Sequence, residues 1–206
     1  MIAKLFAKYQ SIGLITLSLL AGAIMTFIAL PVLTRLYSVA DFGAYGIALA
    51  IVSILSTVAN LRLDQALLVA DEQDKKSLIF EGAAFSTAIA VISGIVISAI
   101  LNVEMAGAVA TGVLANTLIQ SLYNYQFSAH QEYFCAGLNI FRSAIVVAVQ
   151  LSLPLVMQIS LVNSYNLSSV IMIVAVLIYL VKHQLYQVSW QAFKHYKDFI
   201  YANTSH

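Results

Sequence analysis

Ser143 to Val181 reads SAIVVAVQLSLPLVMQISLVNSYNLSSVIMIVAVLIYLV, without one Asp, Glu, Lys or Arg. As a single helix it would extend about 58 Å at about 1.5 Å per residue. A bilayer core is about 30 Å thick and takes about 20 apolar residues to cross. The run is therefore two spans, and the polar cluster Asn163-Ser164-Tyr165-Asn166 is the natural place for the turn between them. This division sets an even number of spans, so the two ends of the chain share a side.

Four more uncharged gaps precede it: 9–34, 42–61, 82–103 and 105–131, the last closing in practice at His130. The expected spans are 10–33, 43–69, 80–101, 105–128, 141–161 and 167–188. The chain reads as an all-α polytopic membrane protein. Its six transmembrane helices fill residues 1–190, leaving 191–206 as a cytoplasmic tail. Lys4, Lys8 and the small residues Ala21-Gly22-Ala23 mimic a secretory signal. The apolar run continues to Leu30, however, and a signal's apolar region is only about 7–15 residues. Composition agrees with a membrane protein. Of 206 residues, 61% are hydrophobic and 9% charged, against about a quarter charged in soluble domains, and mean hydropathy is +0.90. A net charge of +1 argues against a nucleic-acid partner. The single cysteine, Cys135, excludes a disulfide framework.

Basic residues give the orientation. Lys4, Lys8, Lys75, Lys76, Arg142, Lys182, Lys194 and Lys197 fall on the side of the termini, and only Arg35 falls opposite. By the positive-inside rule both termini are cytoplasmic.

Several features bear on function. Ser38 and Asp41 have capping-box spacing at the start of the second helix. Pro31 ends or bends the first helix, and Gly43, Gly46 and Ala50 offer a surface for close helix approach. Within the second helix lie Arg62 and Asp64, which point about 200° apart. Ser56, Asn60 and Asp64 share a face. Arg62, about 12 Å from the inner end at Ala70, either snorkels or forms a structural pair, or lines a polar cavity. On the fourth span Ala108, Gly112, Asn116, Gln120 and Asn124 recur at steps of four, with Tyr123 on the same side. Three amides cannot face lipid. They form either an interhelical seam or a lumen that hydrogen-bonds sugar hydroxyls, since amides both donate and accept. Arg142 begins the fifth helix, as an interfacial anchor or a phosphate contact, with Gln150 two turns along the same face. The histidines have no metal-ligand spacing, no acid–base pair assembles, and no enzymatic activity or cofactor is expected.

The stretch Leu30-Pro31…Thr34-Arg35-Leu36-Tyr37-Ser38…Asp41-Phe42-Gly43…Tyr45-Gly46, followed by Leu61-Arg62-Leu63-Asp64-Gln65-Ala66, resembles the polysaccharide biosynthesis protein family. These are the Wzx-type O-antigen and exopolysaccharide flippases of the multidrug/oligosaccharidyl-lipid/polysaccharide exporter superfamily. Phe141-Arg142, Gln150 and the tail Lys194-His195-Tyr196-Lys197-Asp198-Phe199 extend the resemblance, the tail being similar to the linker between two halves. The resemblance implies the N-terminal lobe of a two-lobed, twelve-helix carrier with a cationic central cavity. Such carriers move a polyprenyl-pyrophosphate-linked oligosaccharide across the bacterial inner membrane for O-antigen, capsule or exopolysaccharide synthesis, beside polymerase and glycosyltransferase partners. It makes Arg62 and Arg142 phosphate-path candidates. The chain departs from the pattern at Ser128-Ala129-His130-Gln131-Glu132, where the family often carries basic residues. It ends before a seventh helix, so a second lobe or a homodimer is needed for alternating access, and a truncated remnant or scaffold is the rival expectation. An ion-coupled drug exporter is another, with Asp64 as the only intramembrane carboxylate.

Overall fold

The structure is a computed structural model describing residues 2–60, 63–157 and 159–185, with the side chains of 2–12 and 73 left aside. Arg62 and the 191–206 tail therefore lie outside the described residues. The helices are α1 (Ile2–Leu36), α2 (Val39–Ala59), a single turn α3 (Leu63–Ala66), α4 (Glu72–Ile100), α5 (Val103–Ser128), α6 (Glu132–Val156) and α7 (Leu161–Lys182). All but α3 contain a segment long and apolar enough to cross a membrane, and the protein is an all-α, six-span membrane protein.

The six-span count holds, but several boundaries move, each for a physical reason. α2 starts at Val39, where Ser38 and Asp41 form the expected capping box: Asp41 N donates to Ser38 Oγ at 3.2 Å and Ser38 N to Asp41 Oδ2 at 3.0 Å. It ends at Ala59 instead of running to 69. Asn60 closes it, and Asp64 sits in the separate turn α3. The first and third spans shift to Gly13–Leu36 and Asp74–Ile100. The fifth runs over 132–156 instead of 141–161, because Gln131 caps α6 immediately after His130, whose positive φ of 56° reverses the chain at the end of α5. The sixth runs over 161–182 instead of 167–188. Asn163–Asn166 is not the turn but the first stretch of α7. The break falls between Val156 and Leu161, after Pro154, and Ser160 caps α7 by accepting from Asn163 N at 3.1 Å. Pro31 likewise does not end α1, which continues to Leu36.

α5 is the axis of the bundle. Two-thirds (67%) of its span is buried, against 17% for α1, α2 and α6, although it is the least apolar of the six. Water is not the solvent here, so burying polar groups away from lipid replaces burying apolar ones away from water. α4, α7 and α2 lie on α5, while α1 packs on α6. Ala106, Ala108 and Gly112 permit the close approach. A Cβ on Gly112 would lie 2.8 Å from Tyr165 Oη and 2.9 Å from Val52 Cγ2. Polar bonds stitch the same contacts: Thr111 Oγ1 donates to Asn166 Oδ1 at 2.9 Å, Gln126 Nε2 to Tyr179 Oη at 2.7 Å, and Asn60 Nδ2 to Ser121 Oγ at 2.9 Å. Gly43 and Gly46, expected to admit a neighbouring backbone, instead face open space, and Ala50 is exposed.

Gly112→Val should therefore lower the melting temperature of the detergent-solubilised protein, by about 1–3 kcal/mol of overpacking. Gly46→Ala, with nothing near its new methyl, should leave it unchanged or raise it slightly. Equal behaviour of the two substitutions in a thermal-shift assay would contradict the central position of α5.

Candidate functional site

α1 and α2 are joined by the short turn at Tyr37-Ser38 yet do not pack along each other; α1 follows α6 and α2 follows α5. Between the two pairs lies a cleft of about 810 Å³. Its lining is amphipathic. Leu19, Leu30 and Leu33 of α1 supply an apolar side, while α2, α5 and α6 bring hydroxyls, amides and one guanidinium.

Along α6 the cleft is lined by Asn139, Arg142, Ser143, Val146 and Gln150. These positions recur at three- and four-residue steps, which places them on one helix face. Arg142 does not begin α6 as expected; it lies about 15 Å from the helix start at Glu132. An anchoring role at the interface is thereby corrected. The guanidinium sits inside the span, exposed to the cleft, and Nη2 donates to Asn116 Oδ1 on α5. A charged arginine at the centre of a lipid-facing helix costs about 2.5–3.5 kcal/mol or more, and the cleft is what relieves that cost. Arg142 thus no longer counts among the basic residues outside the spans.

Steps of four residues drift by about 40° each around a helix. This explains why the α5 stripe changes role along its length. Ala108 and Gly112 face the packed helices. Asn116 and Gln120 line the cleft, Gln120 being exposed to it. Asn124 has turned away: it is 7% exposed and donates to Asp64 O at 2.9 Å and Asp64 Oδ2 at 3.2 Å. Asn116 and Gln120 thus line the cleft, Asn116 also accepting a bond across from α6, while Asn124 forms a seam with Asp64. Ser56, Asn60 and Asp64 all line the cleft, although α2 ends at Ala59 and they do not share one helix face. Tyr123 does not line it and stacks on Phe127 with centroids 6.3 Å apart. Of the predicted residues, the structure brings together Asp64, Asn116, Gln120, Arg142 and Gln150; Asn124 supports Asp64 from behind.

Three features went unread in the sequence. Glu81, at the edge of the uncharged gap 82–103, is fully buried within α4, with Ser77 Oγ donating to Oε1 at 3.3 Å. Asp64 is therefore not the only carboxylate inside the membrane region. Asn60 Oδ1 is buried without a partner and lies against Gly82, where a Cβ would come within 2.5 Å of it.

Tyr37 is the third. Its hydroxyl donates to Gln150 O at 2.9 Å and lies 2.8 Å from Ser164 Oγ. In a helix that carbonyl would accept from the N–H of residue 154, but residue 154 is proline and has none. Tyr37 supplies the missing donor and ties the α1–α2 turn to α6 and α7. Burial pushes its phenol above the ordinary tyrosine range, partly offset by Ser164, so it stays protonated as a donor across physiological pH.

Tyr37→Phe should accordingly cost about 1–2 kcal/mol, the loss of a buried hydrogen bond. Pro154→Ala in the same background should recover part of it by restoring the helical N–H. A double-mutant cycle on thermal stability measures this coupling; strictly additive effects would separate Tyr37 from the Pro154 defect. No protein-family model, curated protein or solved structure matches the chain.

Proposed function

We propose that the chain forms one lobe of a carrier that flips a polyprenyl-pyrophosphate-linked oligosaccharide between the leaflets of the bacterial inner membrane, for surface polysaccharide synthesis. The observation that carries this reading is Arg142, a cleft-facing guanidinium inside a membrane span, flanked by the amides of Asn116 and Gln120. A guanidinium fork matches a phosphate group, and amides match hydroxyls. The polyprenyl chain would remain in lipid, while the cleft spares the charged phosphate a passage through hydrocarbon. The resemblance of residues 30–70 to polysaccharide flippases points the same way. So does the apolar side of the cleft on α1, which a lipid chain can follow. In this scheme a second lobe or second copy would close the side of the cleft between α1 and α2, as alternating access by rocking of two bodies requires.

A second reading is an ion-coupled exporter of small molecules. Asp64 at the cleft and the buried Glu81 favour it, since intramembrane carboxylates serve as proton or cation sites. The two readings part on the charge of the cargo. For the flippase, Arg142→Ala in proteoliposomes should lower the affinity for polyprenyl pyrophosphate about 10–100-fold, the worth of a charge-assisted contact. Arg142→Lys should recover part of it, because lysine keeps the charge without the fork. Equal binding by Arg142→Ala and the unsubstituted protein would remove Arg142 from the site and the flippase reading with it.

In the same scheme both termini and the Asp71–Lys76 segment are cytoplasmic, from the seven basic residues on that side. Reporters active only in the cytoplasm, fused after Lys76 and after Lys182, should both be active; a periplasmic signal at either would overturn the orientation.

A further inference from the structure

A second hollow shares no residue with the cleft: a groove of about 390 Å³ between α6 and α7, floored by Leu122 of α5. Small side chains make it. Gly137 and Ala175 line its middle, and a Cβ on Gly137 would meet nothing within 4 Å. Large side chains bound its ends. At one end Phe134 and Tyr179 meet with ring centroids 5.0 Å apart. Seven residues along each helix, about 10 Å away, Phe141 and Met172 bound the other. The Tyr179 hydroxyl already accepts from Gln126 Nε2 at 2.7 Å, so no side chain of the lining is left to bind a polar ligand. All of these residues lie in membrane-spanning segments. The end beyond Tyr179 is different. On α7, steps of three and four from Met172 through Ala175 and Tyr179 continue to Lys182 and His183. Both are exposed, and His183 stacks on Tyr179 with centroids 4.3 Å apart. Among the described residues Lys182 has no ion-pair partner. Glu132 opens α6 at the same level, but two residues from Phe134 it points about 200° round that helix, away from the groove face.

We infer that the groove holds one acyl chain of an anionic phospholipid, with the lipid phosphate at Lys182 and His183, in the leaflet on the side of the termini. Lipid chains are as apolar as leucine, so a chain entering an apolar groove gains packing and little else. To stay there it needs a second contact, and the mouth of the groove supplies one. The Lys182 ammonium attracts the phosphate, and the His183 ring offers an N–H. The two parts are in register, because one turn of α7 separates Lys182 from Tyr179 and a headgroup at Lys182 leads its chain directly into the outer end. A zwitterionic lipid can enter the same groove, but its own ammonium offsets the attraction to Lys182. A helix of a second copy is about 10–12 Å across with its side chains and could only lie over the opening. The site does not depend on what the cleft carries. It bears on the cleft through α6, since Phe141 precedes Arg142 and a chain held in the groove packs behind the helix that positions the guanidinium.

The test uses the whole chain in phosphatidylcholine nanodiscs containing a trace of either phosphatidylglycerol or phosphatidylcholine with a photoreactive diazirine in one acyl chain. Labelled peptides are mapped by mass spectrometry, and the exposed face of α4 at Ile92, Ile95 and Val96 serves as the measure of bulk lipid. Phosphatidylglycerol should label the Phe134–Phe141 and Met172–Tyr179 segments about fivefold more than phosphatidylcholine does, the worth of one basic residue beside an anionic lipid. The α4 face should show no such preference. Lys182→Gln should bring the groove ratio close to one, and Gly137→Phe, which fills the groove, should remove the groove label while sparing α4. Lys182 is exposed, so its substitution keeps the test decisive should Gly137→Phe fail to fold. Equal groove labelling by the two lipids means bulk lipid and overturns the site. A preference that persists in Lys182→Gln also overturns it. Absence of groove label with both lipids means that protein covers the groove, and loss of the label to an equimolar amount of undecaprenyl phosphate assigns it to an isoprenoid chain; either result overturns the phospholipid.

Discussion

A guanidinium inside a membrane span constrains everything around it. Arg142 cannot face hydrocarbon without a cost of several kcal/mol, so other polar groups must meet it and protein must wall it off. Asn116 meets it from α5. That contact requires α5 to present a polar side to α6, which in turn requires α5 to be surrounded by the other helices. The least apolar span is consequently the most buried. The apolar helices α1, α2 and α6 are left with most of their surface outward, where lipid receives it. The cleft follows from the same arrangement. α1 follows α6 and α2 follows α5, and the two pairs diverge around the charged residue instead of closing on it.

The number of spans, their even parity and most of the site could be read from the sequence, because spans are long and amides inside them are conspicuous. Asp64, Asn116, Gln120, Arg142 and Gln150 do converge. The boundaries were less legible, and the errors have one origin. A charge marks a span end only where lipid surrounds the helix. Glu81 escapes that rule because protein surrounds it and Arg142 because it opens onto the cleft, so α6 starts earlier than its charges suggest and Glu81 falls inside α4. Polarity misled in the same way at Asn163–Asn166. Ser164, Tyr165 and Asn166 look like turn residues, yet each faces a partner: Tyr37, Tyr45 and Thr111 respectively. The better signals for the true break were Pro154, which weakens the end of α6, and Ser160, three residues before Asn163 in N-cap spacing.

Small residues show the complementary limit. Gly112 and the pair Gly43 and Gly46 look equivalent in sequence, each able to admit a close neighbour. Only Gly112 does so, pressed between Tyr165 and Val52. Which glycines are used depends on helix rotation, and rotation is set by the polar groups. Asn60, Asn116 and Asn124 fix which face of their helices turns inward. Gly43 and Gly46 are left on a face that no described helix covers.

The turn motif Arg35-Leu36-Tyr37-Ser38 acquires a physical reason once Pro154 is considered beside it. Ser38 and Asp41 cap α2, which accounts for those two residues but not for the tyrosine. Proline in α6 leaves the Gln150 carbonyl without its helical donor, at a depth where water does not replace it. Tyr37 reaches across from the turn and supplies the hydroxyl, while Ser164 fixes it from α7. The result is a three-element junction at one end of the cleft. Any rotation of α1 relative to α6 and α7 must break a hydrogen bond whose acceptor has no helical donor to fall back on. That end of the cleft is therefore the rigid one. Away from that end α1 and α2 diverge, each on its own partner, α6 and α5, and the cleft lies between them.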